Sequence, residues 1–192
     1  VIGLCGLAGS GKSTIALSLR DEYSFEIVSM ATGIKAMLRT LFSGCGISGR
    51  ASEDMMRMPY KETPIDPEVY PAFNGKTPRQ LLQTLGTEWG RACVGSSIWT
   101  EIAREAIYTH LRNGKSVVID DLRFKDEVDM VHDFNGLVAY VVDTSAHVKP
   151  SATVHSSEKP HMLRFDTSVY NTKRETDIPE IVKAILHAER TT

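Results

Sequence analysis

With 192 residues, 42% of them hydrophobic and 24% charged, the chain is sized for one domain with room for inserted lobes and has enough apolar material for a real core. Its 22 Lys and Arg against 24 Asp and Glu give a formal net charge of −2 with no basic block, so nucleic-acid binding has no electrostatic support. No apolar run approaches a membrane span, and the apolar start lacks the basic flank of a signal peptide, so neither membrane insertion nor export is expected. The three cysteines, Cys5, Cys45 and Cys93, leave an odd count without metal-ligand spacing and read as reduced thiols of a cytoplasmic protein.

Residues 1–5, Val-Ile-Gly-Leu-Cys, read as a short buried strand. Gly6-Leu7-Ala8-Gly9-Ser10-Gly11-Lys12-Ser13 follows, with Thr14 behind it, and fits the phosphate-loop pattern G-x-x-x-x-G-K-[ST]. Ile15, Ala16 and Leu19 then recur at helical spacing, so the loop lies between a strand and a helix. Residues 25–29 predict a second strand. Gly33 precedes a helix with Ile34, Met37, Leu38, Leu41 and Phe42 on one face, Lys35 and Arg39 on the other, and Gly44-Cys45-Gly46 as its stop.

From residue 47 to 78 the periodicity fades among Pro59, Pro64, Pro67, Pro71 and Pro78, the composition of a functional lobe inside a compact α/β chain. Thr77 and Pro78 open the next helix as N-cap and first helical residue; Gly86 is a weak point where it can break, and it ends near Gly90-Arg91. Another helix spans about 97–111, with Ile98, Ile102, Ala106 and Ile107 inward, and stops at Asn113-Gly114. Residues 117–121 form a continuous apolar strand ending in Asp120-Asp121. A helix at 125–134, a strand at 137–142, an irregular polar stretch at 144–163, a short strand at 168–170 and a helix capped by Asp177-Ile178-Pro179 complete the chain. This alternation predicts a three-layer α/β/α fold with a mostly parallel sheet.

The chemistry follows from residue type and place. Glycines let backbone N–H groups turn inward around a phosphate, and the helix behind adds its positive end. Lys12 reaches β- and γ-phosphates, and the Ser13 hydroxyl is a Mg²⁺ ligand. Asp120 and Asp121 close a parallel strand at the end where such sheets bind ligands, and can hold the water shell of Mg²⁺ or orient an oxygen. Alternation along a regular strand lets only one of them face the site. Arg123 can grip two phosphate oxygens at once. Arg79 and Arg91 flank the helix after the irregular lobe and suit capture of a dianionic monophosphate, with Glu88 as an acceptor for a base or sugar. Phe73, Trp89 and Trp99 could stack on a base, and Trp99 reads as core. His147, His155 and His161 lack a cysteine and a regular spacing, so zinc is not expected.

Together these stretches resemble the bacteriophage deoxynucleoside monophosphate kinases. The resemblance is carried by Gly6 to Thr14, by the run Thr77-Pro78-Arg79-Gln80-Leu81-Leu82-Gln83-Thr84-Leu85-Gly86-Thr87-Glu88-Trp89-Gly90-Arg91, by Asp120-Asp121-Leu122-Arg123-Phe124 and by His155-Ser156-Ser157-Glu158. It implies a P-loop NTPase core at 1–43, 100–143 and 164–192, an acceptor-binding insert at 44–99 and a lid at 144–163. It implies transfer of the γ-phosphoryl of ATP to a deoxynucleoside monophosphate with Mg²⁺, and a homodimer in the host cytoplasm. Under it, Gly9, Ser10, Gly11, Lys12, Ser13 and Thr14 bind ATP, and Lys12, Asp121 and Arg123 are catalytic. Ser13, and Asp121 through water, hold the metal. Lys35, Arg79, Glu88, Trp89, Arg91 and Asp120 bind the acceptor, and His155, Glu158, Lys159 and Arg164 serve the lid. The arginine-proline step often found after the fourth strand is replaced by Asp143-Thr144, so Lys149, Lys159 or Arg164 would stand in for that arginine. Two other readings fit the phosphate loop: a kinase of another phosphorylated acceptor, of the phosphomevalonate or dephospho-coenzyme A type, and a slow regulatory NTPase.

Overall fold

The computed structural model describes residues 1–144 and 163–190. By packing it divides into two compact units, one formed by Val1–Met30 with Thr100–Thr192 and the other by Ala31–Trp99.

The first unit holds a five-stranded sheet of β1 (Ile2–Cys5), β2 (Glu26–Val28), β3 (Val117–Leu122), β4 (Leu137–Asp143) and β5 (Thr167–Asn171). The strand order is β2-β3-β1-β4-β5, and every pairing is parallel. Alternation along the strands splits the core in two. Ile2, Leu4, Val118, Ala139 and Val141 face Ile15, Ala16 and Leu19 of α1 (Lys12–Tyr23) and Ile181, Val182 and Ile185 of α7 (Ile178–Glu189). Cys5, Val117, Ile119 and Val138 share the other cluster with Ala103 and Ile107 of α5 (Ile98–Arg112) and Val128 and Val131 of α6 (Lys125–Asp133). These are the three layers that the alternation predicts. On α5 Ala103 and Ile107 face this cluster with Ala106 packed against it, while Ile102, expected inside, is 46% exposed. Asp177 does not cap α7 through its side chain; its carboxylate is taken by the Thr172 hydroxyl.

One irregularity shapes the sheet. Gly3 pairs with Ile119, but Cys5 pairs with Leu122, so β3 carries one extra residue beside β1 where Asp120 and Asp121 lie. Such a bulge releases neighbouring side chains from strict alternation.

The second unit has its own core of Leu38, Phe42, Ile47, Met56, Ile65 and Phe73, with Phe42 and Phe73 edge to face at 5.3 Å. Its helices are α2 (Ala31–Gly44), α3 (Gly49–Met55) and α4 (Pro78–Gln83). Gly33 lies inside α2 rather than ahead of it. The second unit begins at Ala31, with α2, whereas the insert that the resemblance implies begins at residue 44. The proline-punctuated stretch contains α3, capped by Ser48, and two short 3₁₀ turns at Tyr60–Glu62 and Pro71–Phe73. Ion pairs from Arg39 to Glu53 and from Arg79 to Glu62 tie these pieces to α2 and α4.

Thr77 and Gln80 form the capping box that opens α4. The helix does not break at Gly86. It continues as a π-helical stretch, Thr84–Val94, well past the expected end at Gly90-Arg91. The glycines here are contact surfaces rather than stops. A Cβ on Gly90 would lie 2.4 Å from the Trp99 ring, and the Trp99 indole N–H donates to the Gly86 carbonyl at 2.7 Å. Trp99 is therefore core, as read from the sequence, and it packs where only a bare backbone fits. Gly90→Ala is expected to lower stability by about 1–3 kcal/mol, read from the urea midpoint. Gly49→Ala, where an added methyl meets nothing within 4 Å, is expected to stay within about 0.5 kcal/mol of wild type.

Candidate active site

The loop from Gly6 to Ser13 leaves the carboxyl end of β1, the central strand, and runs into α1. Flanked by β3 on one side and β4 on the other, it occupies the crevice where open parallel sheets bind ligands. Ser10 is buried and Gly9 and Thr14 are exposed. The Lys12 ammonium donates to the carbonyls of Gly6 (2.9 Å) and Leu7 (2.8 Å) and to Ser10 Oγ (3.4 Å), so it arches over the loop it belongs to. Burial pushes its pKa down, and the nearby Arg123 guanidinium adds to that, while Asp120 works the other way. An ammonium buried beside a guanidinium, with loop carbonyls as its acceptors, is stabilised by an anion placed against it.

The Ser13 hydroxyl donates to Asp120 Oδ2 at 2.8 Å. Asp121, expected to hold the metal through water, accepts from Ser29 Oγ (2.6 Å) and from the Met30 amide (2.9 Å). The bulge in β3 is the physical reason: with the extra residue, both carboxylates engage partners at the same sheet end, one on α1 and one on the chain after β2. Ser13 and Asp120 are hard oxygen donors beside a phosphate loop, the set that suits Mg²⁺, which takes one or two protein ligands and fills the rest with water and phosphate oxygens.

Arg123 follows directly on β3 and is exposed. The turn that carries it is fixed from below by a residue outside the expected site. Glu127, 3% exposed, accepts the backbone amides of Arg123 (2.6 Å) and Phe124 (3.0 Å), capping α6 and holding the turn. The signal was a glutamate three residues past the N-cap position of that helix.

Asn171, at the end of β5, was also missed; it is 2% exposed and its Nδ2 donates to the Ser10 carbonyl at 2.9 Å. Beside it, Lys173 Nζ pairs with Asp143 Oδ2 at 2.6 Å at the end of β4. Burial pushes the Cys5 thiol, on the strand leading into the loop, up to about 12, which keeps it protonated and inert.

The residues expected to bind the acceptor lie mostly in the second unit. Glu88, Trp89 and Arg91 share the π-helical stretch, where Trp89 is 43% exposed and Arg91 donates to the Ser96 carbonyl at 2.7 Å. Arg79, on α4, pairs with Glu62, and Lys35 is half-buried on α2. Asp120 belongs to the first unit with Ser13. Of the lid residues, Arg164 is exposed ahead of β5, whereas His155, Glu158 and Lys159 lie outside the described residues, as does Lys149. Among the described residues no group of His, Cys, Asp and Glu could hold a metal by itself, and no helix is long and apolar enough to cross a membrane.

A phosphate loop on the central strand of a parallel β2-β3-β1-β4-β5 sheet, with a serine–aspartate pair at its exit, defines a P-loop nucleoside-triphosphate-binding protein. Residues 54–173 match the family model described as deoxynucleotide monophosphate kinase. A protein of Acanthamoeba polyphaga mimivirus, provisionally named a deoxynucleotide monophosphate kinase, is 32% identical over 171 residues, covering 82% of this chain and 80% of its own. The chain belongs to the deoxynucleotide monophosphate kinase family. It is an ATP-dependent kinase of deoxynucleoside monophosphates, which decides among the acceptor classes that the phosphate loop leaves open. A crystal structure of a provisionally assigned kinase from Chloroflexus aurantiacus J-10-fl aligns over 99% of this chain and 95% of its own at 14% identity with a TM-score of 0.48, a likeness too distant to bear on the site.

Proposed function

We propose that Lys12, Ser13, Asp120 and Arg123 form the donor side of the reaction, and that Arg79, Glu88, Trp89 and Arg91, with Lys35, receive the deoxynucleoside monophosphate. The observation that carries the donor side is the Ser13–Asp120 hydrogen bond, next to a lysine whose charge is disfavoured by burial and by Arg123. Ser13 would ligate Mg²⁺ and Asp120 would hold its water shell; the ion, when bound, neutralises charge on the β- and γ-phosphates. Lys12 leaves the Gly6 and Leu7 carbonyls for the stronger acceptors that phosphate oxygens offer. Arg123, held by Glu127, meets charge on the transferring phosphoryl group. Asp121 keeps the Ser29–Met30 corner in place.

The acceptor phosphate is largely ionised near neutral pH, so no strong general base is needed; positioning and charge neutralisation dominate. Arg79 and Arg91 supply cationic capture, Glu88 a hydrogen-bond acceptor for base or sugar, and Trp89 an exposed ring for stacking. The lid role of His155, Glu158, Lys159 and Arg164, and the homodimer, rest on the resemblance alone. The test is a panel of natural and modified deoxynucleoside monophosphates with ATP, followed as ADP release with and without Mg²⁺. At least one monophosphate is expected to stimulate ADP release, and EDTA is expected to stop it. ADP release indifferent to every monophosphate, or to chelation, would overturn this reading.

A further inference from the structure

We infer that Asn171 is a positioning residue of the phosphate loop, setting the direction of the Ser10–Gly11 peptide so that its N–H faces the phosphates. The inference rests on the reading of Gly6 to Ser13 as the ATP site. A trans peptide is planar, with its C=O and N–H pointing opposite ways. Asn171 Nδ2 draws the Ser10 carbonyl outward with a buried hydrogen bond of 2.9 Å, which sends the Gly11 N–H to the other side. The carboxamide cannot turn around. Its Oδ1 accepts the Lys173 amide at 2.8 Å, so a flipped amide would face donor with donor and acceptor with acceptor. The Asn171 backbone is held as well, because its carbonyl accepts both the amide (3.0 Å) and the hydroxyl (3.2 Å) of Thr144.

The loop is built to receive this side chain. Gly11 has φ +96°, and a Cβ there would lie 2.1 Å from Asn171 Nδ2. The glycine before Lys12 is thus required twice, by its backbone conformation and by the asparagine seated against it. The last strand of the sheet reaches the loop through this amide, across 161 residues of sequence.

Asn171→Asp is the sharpest test, since it keeps the size and the acceptor for Lys173 but sets an oxygen against the Ser10 carbonyl. In Asn171→Ala the ATP dissociation constant is expected to rise about tenfold, and in Asn171→Asp more than that, toward about a hundredfold. The KM for the deoxynucleoside monophosphate at saturating ATP is expected to stay within about threefold of wild type, because the effect is confined to the loop. Folding of each variant is checked by circular dichroism, and if Asn171→Asp does not fold, Asn171→Ala carries the same comparison. Folded variants that bind ATP as wild type does, or that weaken ATP and monophosphate equally, would overturn the inference. Lys12→Ala, assayed alongside, separates the two layers. If it too leaves ATP binding and turnover intact, the loop is not the ATP site; if it alone is impaired, only the role of Asn171 fails.

Discussion

Lys12→Ala is expected to lower turnover by about a thousandfold or more at saturating substrates while leaving the fold intact. The side chain contributes nothing to the apolar core. Its contacts are two loop carbonyls and the Ser10 hydroxyl, and α1 is anchored instead by Ile15, Ala16 and Leu19. Its pKa is lowered, so folding holds this ammonium in a place that disfavours its charge, and removing it relieves a cost. The cost makes sense once a triphosphate is bound, because the ammonium then faces anions in a site partly shielded from water. Steady-state ADP release and thermal unfolding of the variant give both halves of the expectation. A well-folded Lys12→Ala enzyme with turnover near wild type would remove the loop from the chemistry.

The second large effect separates two adjacent carboxylates. Asp120→Asn is expected to lower turnover by about a hundredfold and to raise the Mg²⁺ concentration needed for half-maximal rate, because the oxygen that faces Ser13 loses its charge. Asp121→Asn is expected to act elsewhere. It weakens the bonds to Ser29 Oγ and the Met30 amide, each a hydrogen bond to a charged group worth about 1.5–3 kcal/mol, so its main effect falls on stability. Turnover of a folded Asp121→Asn enzyme should remain within about tenfold of wild type. A Mg²⁺ titration of both variants decides the matter. If Asp121→Asn shifts the Mg²⁺ requirement and Asp120→Asn does not, the geometry has been misread.

The division between these two residues marks the limit of what the chain discloses on its own. The phosphate loop was legible because everything it needs is local: a strand, glycines at fixed spacing, a lysine and a helix start. The alternation of strands and helices along the chain was legible for the same reason, as buried parallel strands are short apolar runs between helices. Which aspartate meets Ser13 depends on one extra residue in β3 relative to β1, a matter of register between segments more than a hundred residues apart. Asn171 was hidden in the same way, since a polar residue closing a strand carries no sign of the loop it will touch.

The second unit was harder to read. Gly86 and Gly90 signalled a weak helix, and the intrinsic preference was overridden by packing that needs their bare backbone, against Ile34 at Gly86 and against the Trp99 ring at Gly90. The stretch from residue 47 to 78 has no long period because its pieces are one short helix and two 3₁₀ turns, fastened by Arg39–Glu53, Arg79–Glu62 and the Phe42–Phe73 contact. Of the expected acceptor residues, Glu88, Trp89 and Arg91 were legible as neighbours on one helix, but not as residues of a π-helical one.

The seating of Trp99 against Gly90 also gives the protein an optical signature. Its two tryptophans lie in one compact unit but in opposite surroundings, Trp99 at 4% exposure with its N–H engaged and Trp89 at 43% exposure. Emission from Trp99 belongs at the blue end of the spectrum and is out of reach of a dissolved quencher. Emission from Trp89 belongs further to the red and within reach of it. One spectrum therefore carries an internal standard for folding together with a reporter on the surface beside Glu88 and Arg91, with no label added.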